Sequence, residues 1–279
     1  MPDIRVVTDT ACDLTDEILN ELGIGLVSLK IRFGAEELVD RVELSTKEFW
    51  TRCASFEGLP ETSAPSPGQF KQAFEAMAAA GAGGVVCVNL SSKMSATIQA
   101  ARQAAQEVAG SIPVRVVDSE SVSLGQGLVA IEAARKAATG ASIDEVAAAA
   151  ETAVSGMKLY GAIDTLENLK RGGRIGGAQA LLGSLLSIKP VIEVLDGEVQ
   201  PESKQRTRGK SLRYLAEKAR NAGKVSSIAA FGADASDMDE FLEMLRAARP
   251  DDKILVSDVG PVIGTHSGPG AIGVAWINA

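Results

Sequence analysis

Four polar, mostly uncharged segments each fall where a strand is expected to end. They are Glu61-Thr62-Ser63-Ala64-Pro65-Ser66, Leu90-Ser91-Ser92-Lys93-Met94-Ser95, Asp118-Ser119-Glu120-Ser121 and Gly264-Thr265-His266-Ser267-Gly268-Pro269-Gly270. In open α/β sheets, ligands bind at the carboxyl ends of strands. The second segment opens a helix, whose N-terminus offers free N–H groups and the positive end of a dipole. Hydroxyls at Ser92 and Ser95 would add donors. Such a set can hold a carboxylate or phosphate without a lysine. Taken singly, each hydroxyl is also an ordinary helix cap.

His266 is the only histidine of the chain. Glycines at 264, 268 and 270, with Pro269, let the backbone around it approach closely and adopt positive φ. A functional role is expected of it, against the plainer reading of a surface or satisfied core residue. In Arg171-Gly172-Gly173-Arg174, one glycine can end a helix and Arg174 beyond it can turn to an anion. The alternative is a basic helix end facing its own dipole.

Other patterns fail on spacing. Gly209-Lys210-Ser211 resembles the end of a phosphate-binding loop, but Lys204 stands where its first glycine is needed. Gly125-Gln126-Gly127-Leu128-Val129-Ala130 fits a dinucleotide fingerprint but lies too far from the strand end at Asp118. Close helix packing explains its glycines better. No Gly-x-Ser-x-Gly elbow occurs, and one histidine excludes zinc sites built on several. Asp9 and Asp13 could bind a cation, but two aspartates at this spacing read as a loop cap or charged rim. No metal is expected.

The elements that must position these residues alternate. Strands are expected over Ile4 to Thr8, Val85 to Leu90 and Val114 to Asp118. Phe70, Ala73, Phe74 and Met77 make one helical face, with Ser66, Pro67 and Gln69 as its start signals. Further helices are expected over Ser95 to Val108, Gly125 to Thr139 and Ala141 to Val154. This order implies a parallel sheet with crossover helices. The pattern then restarts: a strand over Lys158 to Ile163, a capping box from Asp164 and Glu167, and a hairpin turning at Asp196-Gly197. Lys210 to Asn221 and Met238 to Ala248 read as helices, Ser227 to Phe231 and Ile254 to Val259 as strands. The fold class is α/β in two domains, 1–156 and 157–279, with a ligand cleft or tunnel between them.

Bulk properties agree. The chain has 279 residues, 46% hydrophobic and 4% aromatic, with a net charge of −8. The acidic balance leaves no basic footprint for nucleic acid. Cys12, Cys53 and Cys87 form no Cys-x-x-Cys pair, which fits a reducing cytosol. The N-terminal residues lack the charge and apolar pattern of a signal peptide, and no apolar run reaches the roughly 20 residues of a membrane span. A cytoplasmic location is expected.

The chain resembles the DegV family over essentially its whole length. The resemblance is carried by Val7-Thr8-Asp9-Thr10 with Asp13-Leu14, and by Thr62-Ser63 with Pro65-Ser66. It continues through Leu90-Ser91-Ser92, Met94-Ser95-Ala96-Thr97, Asp118-Ser119, Gly172-Gly173-Arg174-Ile175 and Ile188-Lys189-Pro190. Gly260-Pro261-Val262-Ile263-Gly264-Thr265-His266-Ser267-Gly268-Pro269-Gly270 completes it. The resemblance implies a carrier of a long-chain fatty acid that is not itself an enzyme and needs no cofactor. A fatty acid kinase would phosphorylate the bound carboxylate, and the acyl phosphate would pass to phospholipid synthesis. A membrane acyltransferase and transient membrane contact are further implied partners. Thr62, Ser63 and Ser92 would surround the carboxylate with Ser95 and His266 close by; Arg174 and His266 would support phosphoryl transfer. Ala64, Thr10, Lys93 and Ala96 depart from the family pattern without removing a proposed contact. Leu181, Leu182, Leu185, Leu186 and Ile188 are candidates for the tunnel wall or for plain core. The competing function is a hydrolase or transferase using His266 with a serine nucleophile.

Overall fold

The near-continuous apolar runs around Val6 and Val86 demand cover on both faces, as in a parallel sheet flanked by helices. The computed structural model, which describes residues 3–184 and 188–279, supplies it. The first half runs β1 (Asp3–Asp9), α1 (Asp16–Leu22), β2 (Gly25–Val27), β3 (Lys30–Phe33), β4 (Glu36–Val39), α2 (Thr46–Ser55), β5 (Glu61–Ser63), α3 (Pro67–Ala79), β6 (Ala82–Asn89), α4 (Thr97–Glu107), β7 (Val114–Asp118), α5 (Ser123–Ala138) and α6 (Ile143–Gly156). The second runs β8 (Met157–Ala162), α7 (Glu167–Arg171), β9 (Lys189–Leu195), β10 (Glu198–Gln205), α8 (Arg208–Arg220), β11 (Val225–Gly232), α9 (Met238–Ala248), β12 (Ile254–Asp258), α10 (Pro261–Ser267) and β13 (Ile272–Asn278). The expected domain boundary falls between α6 and β8.

Three sheets result. The first, β2-β1-β6-β7, is parallel throughout. The second, β10-β9-β8-β13-β11-β12, is antiparallel except for β11 with β12. A small antiparallel sheet, β4-β3-β5, pairs Ile31 with Thr62. α3 starts as its signals predict: Ser66 Oγ accepts from Gln69 N–H, and Gln69 Oε1 from Ser66 N–H at 2.9 Å. Asp196 and Gly197, with φ of 50° and 76°, make the two-residue turn of the β9–β10 hairpin.

Several expectations are corrected. α5 begins at Ser123, so Gly125 and Gly127 lie inside it, where a Cβ on Gly127 would stand 2.8 Å from Cys12 O. α4 begins at Thr97, its N–H donating to Ser95 Oγ. The box from Asp164 and Glu167 does not form. The Glu167 N–H donates to Thr165 Oγ1, and Asp164 accepts from Lys189 Nζ at 3.0 Å. The glycine-rich stretch around His266 is partly helical: α10 has Pro261 in its first turn and ends at Gly268, φ 74°.

Candidate ligand-binding site

A cavity of about 200 Å³ lies between the two halves. Its wall is aliphatic. Leu29, Leu90 and Val122 come from the first half; Leu159, Ile192, Val194, Phe231 and Val262 come from the second. Part of the floor is bare backbone. Gly161 and Gly273 pair across β8 and β13, and both line the cavity. A Cβ on Gly273 would stand 2.2 Å from the Phe231 ring, so the glycine admits the phenyl group there.

The polar lining gathers Thr62, Ser95, Arg174, His266 and Ser267. β5 holds Thr62 half-buried, and α10 carries His266 against it. Thr62 Oγ1 and His266 Nε2 lie 3.0 Å apart, bridging residues 204 positions apart in the chain. The opposite ring nitrogen, Nδ1, is buried with no hydrogen-bond partner among the described residues. The tautomer protonated on Nε2 therefore leaves no N–H unpaired: Nε2–H donates to Thr62, whose own hydroxyl is left to donate to a ligand. Burial, aided by the Arg174 charge, lowers the His266 pKa to about 4, so the ring is neutral at physiological pH. Gly172 backs onto it; a Cβ there would stand 2.3 Å from Nδ1.

Arg174 is aimed by the end of α7. Gly173 takes the left-handed conformation, φ 70°, and the Arg174 N–H donates back to Leu169 O. The reversed side chain donates from Nε to Met94 O at 3.1 Å and from Nη1 to Gly172 O at 2.6 Å. It thus ties the second half to the turn before α4. Neutral donors and one guanidinium at the end of an apolar cavity can hold an anionic head while burying an aliphatic tail.

The structure brings Thr62, Ser95, Arg174 and His266 to this cavity. Ser63 is exposed and does not line it. Ser92 lies in an adjoining shallow groove with Lys93 and Gly173, its N–H facing the Asp118 carboxylate. Arg174, Met94 and Ser95 border both spaces. Leu181 is buried in the core, and neither it nor Leu182 nor Ile188 lines the cavity. Leu185 and Leu186 lie outside the described residues. Sequence reasoning missed Phe231, Gly161, Gly273 and Ser123 as lining residues. No motif marks them; only the strand registers bring them together.

Comparison with known proteins agrees with this geometry. A family model described as "Uncharacterised protein, DegV family" matches residues 3–279. A DegV domain-containing protein of Streptomyces coelicolor is 38% identical over 275 residues, 97% of each chain. Among solved structures, a DegV family protein from Thermus thermophilus, described by its fatty acid binding, superposes with a TM-score of 0.92 at 32% identity, over 100% of both chains. DegV from Bacillus subtilis, a fatty acid binding protein, gives 0.91 at 31% over 100% of both. A stearic acid-binding protein from Eubacterium ventriosum gives 0.89 at 25%, over 100% of this chain and 98% of that one. By sequence over nearly its whole length, and by fold, the chain belongs to the DegV family.

Proposed function

We propose that the protein binds a long-chain fatty acid in the interdomain cavity and presents its carboxylate at Thr62, Ser95, Arg174 and His266. The observation that carries this reading is the joining of an aliphatic cavity to one polar cluster whose donors are mostly neutral. A carboxylate held so stays available to a second protein. A saturated chain of about 16 carbons gains up to roughly 0.8 kcal/mol per buried CH₂, or about 11 kcal/mol gross. Association removes several kcal/mol of that, leaving binding of micromolar strength or tighter.

In this reading the protein is a cytoplasmic, non-catalytic carrier for a fatty acid kinase, which phosphorylates the carboxylate to supply phospholipid synthesis. Ser92, in the adjoining groove, is where a partner would meet the head group, whereas Ser63 lines neither space. Arg174 and His266 would support phosphoryl transfer. The neutral His266 and its unpartnered Nδ1 favour a hydrogen-bonding role over that of a general base, which needs an orienting acceptor.

Mass spectrometry of the organic extract from protein purified without added lipid tests this. Fatty acid near one per chain is expected, depleted in a Thr62→Ala, Ser95→Ala double variant. No lipid in the wild type, and none taken up from an added mixture, would sink the reading.

A further inference from the structure

A second cavity, of about 580 Å³, lies where the loop after β1, the start of α2 and the β12–α10 connection meet. Its lining is opposite in character to the first. Asp13, Asp16, Asp40 and Asp258 face a single cation, Arg41, whose guanidinium donates to Leu14 O at 2.7 Å and to Asp16. The hydroxyls of Thr10, Ser45 and Ser257 add further oxygens. The charge balance favours a cationic ligand, and the all-oxygen donor set favours a hard one.

Asp40 gives this cavity its chemistry. Its side chain is 0% exposed, and neither carboxylate oxygen has a hydrogen-bond partner among the described residues. The Thr10 hydroxyl and the Arg41 N–H face it without reaching hydrogen-bond geometry. That N–H donates instead to Leu44 O at 3.0 Å. A buried carboxylate without a partner is costly, and folded proteins meet the cost with an ion, a water or a second group. By contrast, Asp13 is satisfied: its oxygens accept from Ser123 Oγ at 2.6 Å and Gly260 N–H at 2.9 Å. Asp9, below them, accepts from Ala11 N–H, Asn89 Nδ2 and Leu90 N–H. The unmet demand is therefore confined to Asp40.

We propose that this cavity binds a hydrated divalent cation of the magnesium class, with Asp40 as direct ligand and Asp13, Asp16 and Asp258 acting through its waters. Among the described residues no three acidic, histidine or cysteine side chains converge closely enough to form a cage. One direct carboxylate with others further off suits magnesium, which keeps several waters and takes one or two carboxylates. One helix borders both cavities. Gly260, which caps α10, lines the second cavity, while Val262, Ile263 and His266 on the same helix line the first.

Mn²⁺ serves as the probe. Full-length protein is stripped with chelator and titrated with MnCl₂, free Mn²⁺ being read by electron paramagnetic resonance. One Mn²⁺ per chain is expected, displaced by MgCl₂ but not by NaCl at equal ionic strength, and bound about tenfold or more weakly by Asp40→Asn. No stoichiometric site up to millimolar Mn²⁺, displacement by NaCl, or unchanged binding in Asp40→Asn would each overturn the proposal. Should Asp40→Asn fail to fold, Asp16→Asn combined with Asp258→Asn replaces it, both positions being exposed. A fall of about threefold is then expected from lost charge, and unchanged affinity again overturns the proposal.

Discussion

Thr62 and His266 show how much of the candidate head-group site rests on one contact between distant residues. Thr62→Val keeps the shape of the side chain and removes the hydroxyl. Fatty acid affinity is expected to fall about tenfold, near the value of one hydrogen bond to a charged group, and stability by about 1–3 kcal/mol, because the buried His266 Nε2–H loses its partner. Displacement of a fluorescent fatty acid measures it. The His266 ring, with a pKa of about 4 against an ordinary 6.5, sets a pH dependence. The folded state resists protonation, so stability is unaffected above pH 6.5 and falls as pH drops from 6.5 towards 4. Complete protonation costs on the order of 3 kcal/mol. Urea midpoints at pH 7 and at pH 5 should therefore differ more in wild type than in His266→Gln; equal differences would mean the ring is not held neutral. Both residues were legible in the sequence because hydroxyls and a lone histidine in glycine-rich settings stand out. The cavity wall was not legible, since Phe231 and Ile192 look like any buried strand residue until the strand order is known.

At the scale of elements, local signals served where the chemistry is local. The Ser66 and Gln69 capping box and the Asp196-Gly197 turn could be read because each is settled within a few residues. Asp164 and Glu167 misled: a charged partner from β9 outcompetes the cap, and only tertiary structure brings Lys189 there. The short strands β2 to β5 have too few residues to establish a period, and β13 is buried throughout its sheet and so shows no alternation. The left-handed glycine that ends α7 gives a test. Gly173→Ala places a Cβ at φ 70° and should cost about 1 kcal/mol of stability. It should also weaken fatty acid binding, because the turn aims Arg174. Ser66→Ala should cost a similar amount, about 1 kcal/mol, through the lost cap, yet leave binding unchanged. Chemical denaturation alongside ligand titration separates the two.

For the whole molecule, the parallel sheet and the mixed sheet meet across a cavity that neither completes alone. A ligand there would bind only the folded state. Palmitate at about 100 times its dissociation constant should add about 2.7 kcal/mol, a rise in Tm of about 4–5 °C for a chain of this size. Scanning calorimetry of delipidated protein with and without palmitate measures it, and an unchanged Tm would count against a ligand held between the halves. The α/β class and the two-part plan were readable from the alternation of elements. The third sheet and the reach of α10 from the second half to β5 in the first were not, because both depend on long-range contact. The guanidinium of Arg174 has a cost attached to its position. Nε and Nη1 are engaged by Met94 O and Gly172 O, so an arriving anion draws on a donor set already partly in use. A carboxylate can take the remaining N–H groups and leave that tie intact. A phosphate, with more acceptor oxygens and greater charge, competes for the engaged ones as well. Were the carboxylate phosphorylated, as proposed, the product would loosen this one tie between the halves, and the chemical change itself would supply the signal to let go.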